Sequence, residues 1–218
     1  MTGRGLQRAM NAPKITFGHG GAPDAEDADV ILHEYAHALQ YAIGPQTTYG
    51  SGDTGAIAEG MADYWAASWS LRSEAGQLFL PNQVFQWDAL GWGGRQLDAK
   101  DVWYDPDQTY RAHQSFLVGE KPDFSNWTDE DWDNWQPVFW SADELWSRPL
   151  YLSLQRLLAL GYLRHDMDKI VLESFFGLGS DITMRELAGV MVHTAHTLFP
   201  NGSHSEILKE EFEAVNIL

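Results

Sequence analysis

A mainly helical fold with a minor strand component (mainly α, α+β) is what this 218-residue sequence predicts, on three observations. Segments of helical character, bounded by capping and breaking residues, occupy most of 24–74 and 138–218. Only one run, Lys14 to Gly18 (KITFG), reads as a strand, closed by the glycine-rich stretch Gly18 to Gly21. An apolar content of 44% with 13% aromatics supplies enough core for one domain over 1–218, with or without an irregular insertion.

The first helix is predicted from about Asp24. There Asp24, Glu26, Asp27 and Asp29 load its start with acid, which the helix dipole favours. It runs to about Ile43 and stops at Gly44-Pro45, and residues 45–53 (PQTTYGSGD) form a loop. A second, Ala-rich helix covers about Thr54 to Glu74. Residues 78–137 show no convincing period and read as an irregular insertion of loops and short helices over a groove. Helices return at Pro137 to Glu144, after Pro149 through Leu163, and at Met167 to Phe176. Thr183-Met-Arg-Glu186 reads as a capping box opening a helix to Leu198, and a last helix covers Ser205 to Val215.

Charge narrows the function. With 14 Lys and Arg against 31 Asp and Glu, the net charge is −17, which argues against a nucleic-acid partner. There is no cysteine, so disulfides, thiol nucleophiles and cysteine zinc ribbons are excluded, and any metal must be held by His and carboxylates. No membrane segment is expected, since the apolar stretch Leu152 to Leu163 is too short and carries Arg156. Met1 to Met10 has no apolar region behind it and does not read as a signal peptide.

The chemistry is concentrated at His33-Glu34-Tyr-Ala-His37. On a helix the two histidines lie one turn apart on one face, so both imidazoles can reach one ion. Glu34 is off that ligand row and suited to act as general base on a metal-bound water. With 8 His in the chain, roughly 0.02 such motifs are expected by chance. A third ligand is needed, with a fourth position left for water. Glu59, on the second helix, supplies it, and Asp63, one turn further on, can accept the free N–H of a ligating imidazole.

His-Glu-x-x-His followed by a helix bearing Glu and, four residues on, Asp resembles the gluzincin metallopeptidases of the thermolysin clan. The fuller pattern is Phe17-Gly, then Asp27-Ala-Asp-Val-Ile-Leu-His-Glu-Tyr-Ala-His, then Gly55-Ala-Ile-Ala-Glu-Gly-x-x-Asp-Tyr-Trp65. It is similar to bacterial members of the fungalysin family, over about 14–75 and, through Ile170 to Glu173, Thr183 to Glu186 and Phe212 to Leu218, over 145–218. The resemblance implies a zincin-like fold whose N-terminal sheet is reduced, or built by an upstream segment outside this chain, with a helical C-terminal lobe. It implies a secreted zinc endopeptidase acting on peptide or protein. In it His33, His37 and Glu59 hold Zn²⁺, Glu34 moves the proton, and Asp63 orients His33. The family's oxyanion-stabilising histidine would fall at Trp140 or Ser141 in one register and at Asn134 in another, so neither register supplies one.

Tyr49, ten residues before Glu59, is a candidate substitute donor, and His113 a weaker one. His193 and His196, three apart on a late helix, could bind a further ion. Asp129, Asp131 and Asp133 alternate as in a calcium loop, but the Gly and Glu of an EF-hand are missing, which leaves structural Ca²⁺ or a solvated acidic turn. The tryptophans at 127, 132, 135, 140 and 146 either line a groove or fill the core. Two further readings stand beside the endopeptidase: a zinc-binding protein that holds peptide or protein without cleaving it, and a zinc hydrolase for a non-peptide amide or ester.

Overall fold

The computed structural model describes residues 14–18, 23–44, 52–87, 94–100, 102–105, 128 and 142–218. Within these residues the protein is mainly helical, as the sequence predicts. After a short 3₁₀ turn at Asp24–Glu26, the helices are α1 (Ala28–Ile43), α2 (Asp53–Ser70), α3 (Glu74–Leu78), α4 (Ala142–Ala159), α5 (Arg164–Ser174), α6 (Met184–Leu198) and α7 (His204–Glu213). One antiparallel ladder, β1 (Gln83–Val84) with β2 (Arg95–Gln96), pairs Gln83 with Gln96 and Val84 with Arg95. No helix among the described residues is long and apolar enough to cross a membrane.

Local chemistry explains most boundaries. Asp27 caps α1 by accepting from the Asp29 amide at 2.8 Å, and the Gly44 amide closes the other end on Gln40. Thr183 and Glu186 form the reciprocal capping box of α6, each accepting from the other's backbone N–H.

Besides shifts of three or four residues at other helix ends, four features depart from expectation. Residues 14–18 form no strand; no described strand lies beside them to pair their backbone groups. The second helix ends at Ser70 rather than Glu74, because Ser73 takes up the Gly76 amide and starts α3 instead. In the insertion, the part described holds the β1–β2 ladder rather than short helices alone. Pro149 does not divide two helices: it sits buried inside a continuous α4. A proline there forfeits one backbone bond. The flanking side chains Leu145, Trp146, Leu150 and Leu154 are all fully buried, and that packing outweighs the local rule.

α2 is the centre of the molecule, packed by α1 on one side and α4 on the other, with α5 and α6 also touching it. Its Gly60 permits the approach of α4: a Cβ there would lie 2.4 Å from the Asp143 carbonyl oxygen and 2.8 Å from the Trp146 Cβ. The main core joins Ile57, Met61 and Tyr64 of α2 to Trp146, Leu150 and Leu154 of α4, and onward to Leu187, Leu208 and Phe212. Trp146 is thus a core ring, packed 5.2 Å from Phe212.

A buried polar knot joins α2 to α5. Asp168 accepts from Tyr64 Oη at 2.9 Å and Ser68 Oγ at 2.5 Å, while Arg164 pairs with its other oxygen. Removing the carboxylate would leave a fully buried tyrosine hydroxyl without its acceptor. Asp168→Ala is therefore expected to cost about 2–4 kcal/mol, read as a lower denaturant midpoint with unchanged slope.

Candidate metal centre

α1 buries Asp29, His33, Ala36 and Gln40, a single face at helical spacing, against α2. Gln40 locks the two helices in register by donating to the Ala58 carbonyl at 2.7 Å. That register brings His33 and His37 opposite Glu59 and Asp63. The His33 and His37 Nε2 atoms lie 3.1 Å apart. Glu59 places Oε2 at 3.2 Å from His33 Nε2 and Oε1 at 3.4 Å from His37 Nε2. On its far side His33 Nδ1 donates to Asp63 Oδ1 at 2.9 Å, which leaves Nε2 directed into the cluster.

His33, His37 and Glu59 can hold a metal ion. One donor atom from each lies within 4.8 Å of the others, and among the described residues they are the cluster of three or more His and acidic side chains that meets this condition. A tetrahedral ion with ligands at about 2.0–2.1 Å sets donor atoms about 3.3 Å apart. The contacts above bracket that edge. Two imidazoles and one carboxylate suit a first-row divalent cation, and three protein donors leave a coordination position open.

Electrostatics agree with a site built for positive charge. Burial pulls the His33 imidazolium down, but its bonds to Asp63 and Glu59 and their charges outweigh this and raise it to about 9. Burial pushes Glu59 up, yet His33 and His37 hold it well below the usual carboxylate range. A proton therefore occupies the metal-free cluster at neutral pH. His33 gives up its proton near 6.5 when unfolded and near 9 when folded. Its contribution is fully present below about 6.5 and is lost as pH rises through 9. At about 1.4 kcal/mol per unit the loss is roughly 3 kcal/mol. Urea unfolding with chelator at pH 6.5 and 9.5 is expected to show it.

Glu34 is half-buried on α1, rotated about 100° from His33. It makes no hydrogen bond or ion pair among the described residues. Tyr49, His113 and the Asp129 to Asp133 run lie outside the described residues, as do the tryptophans at 127, 132, 135 and 140. His193 and His196 are exposed on α6 and belong to no described three-ligand cluster.

The structure adds residues that sequence reading missed. Arg95, from β2, donates through Nη1 to Asp63 at 2.9 and 3.1 Å, approaches Glu59 at 3.5 Å, and through Nη2 lies 3.5 Å from Asp143. Burial opposes its charge, and the carboxylates of Asp63, Asp143 and Glu59 outweigh that opposition. Phe85, just after β1, lays its ring edge-on to His33, centroids 5.2 Å apart, and 5.2 Å from the Arg95 guanidinium. Neither residue belongs to a spacing motif. They reach the centre because the β1–β2 ladder packs on α2 and because Glu144 accepts from the Gln96 amide at 2.7 Å.

No protein-family model matches this chain, and no curated protein does. What is established is a mainly helical protein with a partly buried His-His-Glu cluster able to hold a metal ion.

Proposed function

We propose that this protein is a zinc-dependent endopeptidase of gluzincin type, with a zincin-like fold, that hydrolyses peptide bonds with a metal-activated water. The observation that carries the reading is the convergence of His33, His37 and Glu59 with Glu34 on the same helix as the two imidazoles. The peptide substrate class comes from the resemblance of the His-Glu-x-x-His and Glu-x-x-x-Asp pair to gluzincins, and zinc from the donor set.

The ion, when bound, supplies a Lewis acid that polarises a carbonyl and makes a water acidic near neutral pH. The rest belongs to the chain. Glu34 accepts a proton on a carboxylate oxygen as water attacks and delivers it to the departing nitrogen. Asp63 accepts a hydrogen bond from His33 Nδ1–H, so the lone pair at Nε2 is presented to the ion. Arg95 holds Asp63 in that orientation and offsets part of the negative charge of Glu59, Asp63 and Asp143.

The test uses protein stripped with chelator, reloaded with Zn²⁺, and incubated with an unfolded protein. New N-termini are expected in the reloaded sample and not in the stripped one. Cleavage that chelation leaves untouched, or failure to bind zinc at all, would reject the proposal.

A further inference from the structure

Phe85 has a backbone φ of +64°, a left-handed conformation that a bulky side chain adopts rarely. Of the four non-glycine residues with positive φ among the described residues, Asp181 and Asn216 are types that tolerate it, and Leu80 is an exposed loop residue. Phe85 alone among them touches the metal cluster. Strained residues of this kind persist only where their surroundings hold them, and they gather at functional sites. The holding groups are visible. The Phe85 amide donates to Asp29 Oδ2 at 3.2 Å, and the Trp87 amide donates to Asp27 Oδ2 at 3.1 Å. Both acids are buried at the start of α1, and Asp29 stands one helical turn before His33. The helix that carries two ligands therefore also fixes the turn that carries the ring. The ring meets the His33 imidazole at 70° and is itself only 5% exposed.

We infer that Phe85 is a positioning residue for the metal centre, its ring fixing the plane of His33 while Asp29 and Asp27 hold its backbone in the left-handed turn. The bond to Asp63 fixes which nitrogen of His33 carries the hydrogen, yet a hydrogen bond tolerates a range of ring tilts. The flat edge of Phe85 removes this freedom and keeps water from the flank of the His33–Asp63 bond. Phe85 also packs with Val84, Leu97 and Tyr151, so loss of stability alone would say nothing about positioning. The readout must be the geometry of the ion.

The inference rests on the metal-centre reading, and the experiment separates the two. Wild-type protein, Phe85→Leu, Asp29→Ala and the double variant are stripped and titrated with Co²⁺. Affinity and the visible absorption envelope, which reports ligand geometry, are recorded together. Phe85→Leu keeps apolar bulk without a flat ring and is expected to bind Co²⁺ about tenfold more weakly, with a shifted envelope. Asp29→Ala, which frees the backbone but keeps the ring, is expected to shift both in the same direction. The double variant is expected to be no weaker than Phe85→Leu, because Asp29 acts through Phe85. Should Phe85→Leu fail to fold, Asp29→Ala decides alone. Wild-type affinity and envelope in folded Phe85→Leu, or in Asp29→Ala where that variant decides, would overturn the inference and leave the metal centre standing. No Co²⁺ uptake by the wild type would overturn both.

Discussion

Glu34→Gln is expected to lower peptide hydrolysis by about 10²–10⁴-fold while zinc stays bound with near wild-type affinity. The split follows from geometry. His33, His37 and Glu59 form the cluster without help from Glu34, which has no hydrogen bond or ion pair among the described residues. Glutamine keeps the size and polarity of the side chain but cannot accept and return a proton at neutral pH. The variant should therefore fold, bind metal and bind substrate, and fail only in turnover. Three measurements separate the readings: metal content after dialysis, release of new N-termini, and binding of an unfolded peptide. Undiminished cleavage by Glu34→Gln would refute the role given to this residue. A wild-type protein that holds zinc and peptide yet releases nothing would instead support a binding protein that does not cleave.

The candidate ligands were legible because helix geometry converts spacing into contact. His33 with His37, and Glu59 with Asp63, are each four residues apart, so each pair occupies one face and needs only one helix–helix packing to meet the other. The capping box at Thr183 was legible for a similar reason: both partners lie within one turn. Arg95 and Phe85 were not. Their placement depends on a ladder of two residues per strand, too short to show a period, and on a strained turn held by acids more than fifty residues earlier. Nothing local distinguishes Arg95 from a surface arginine; its meaning lies in Asp63, 32 residues away, and Asp143, on α4. Pro149 misled for the opposite reason. The local preference against proline in a helix is real, but buried side chains on both sides of it hold α4 continuous.

That long-range placement makes Arg95 the residue whose removal should be felt most in stability. Its guanidinium contacts Asp63 and Asp143, both fully buried, and it also approaches Glu59. Arg95→Met preserves much of the apolar stem against Phe85 but removes one positive charge from beside these carboxylates, leaving His33 beside Asp63 and Glu59. Breaking a buried ion pair on one side only costs about 3–5 kcal/mol, and the same size of loss is expected here for metal-free protein. Zinc should still stabilise the variant, since the ion supplies positive charge beside Glu59 and, through His33, beside Asp63. The expected result is thus a variant with a much lower urea midpoint than wild type in chelator, and a smaller gain than wild type on adding zinc, because that gain follows affinity. Metal affinity is expected to fall about 10–100-fold, because Asp63 then loses the contact that aims it at His33. Equal midpoints for the two proteins in chelator would show that Asp63 and Asp143 do not depend on Arg95. The account of how this centre is held together would then have to be rebuilt from α1 and α2 alone.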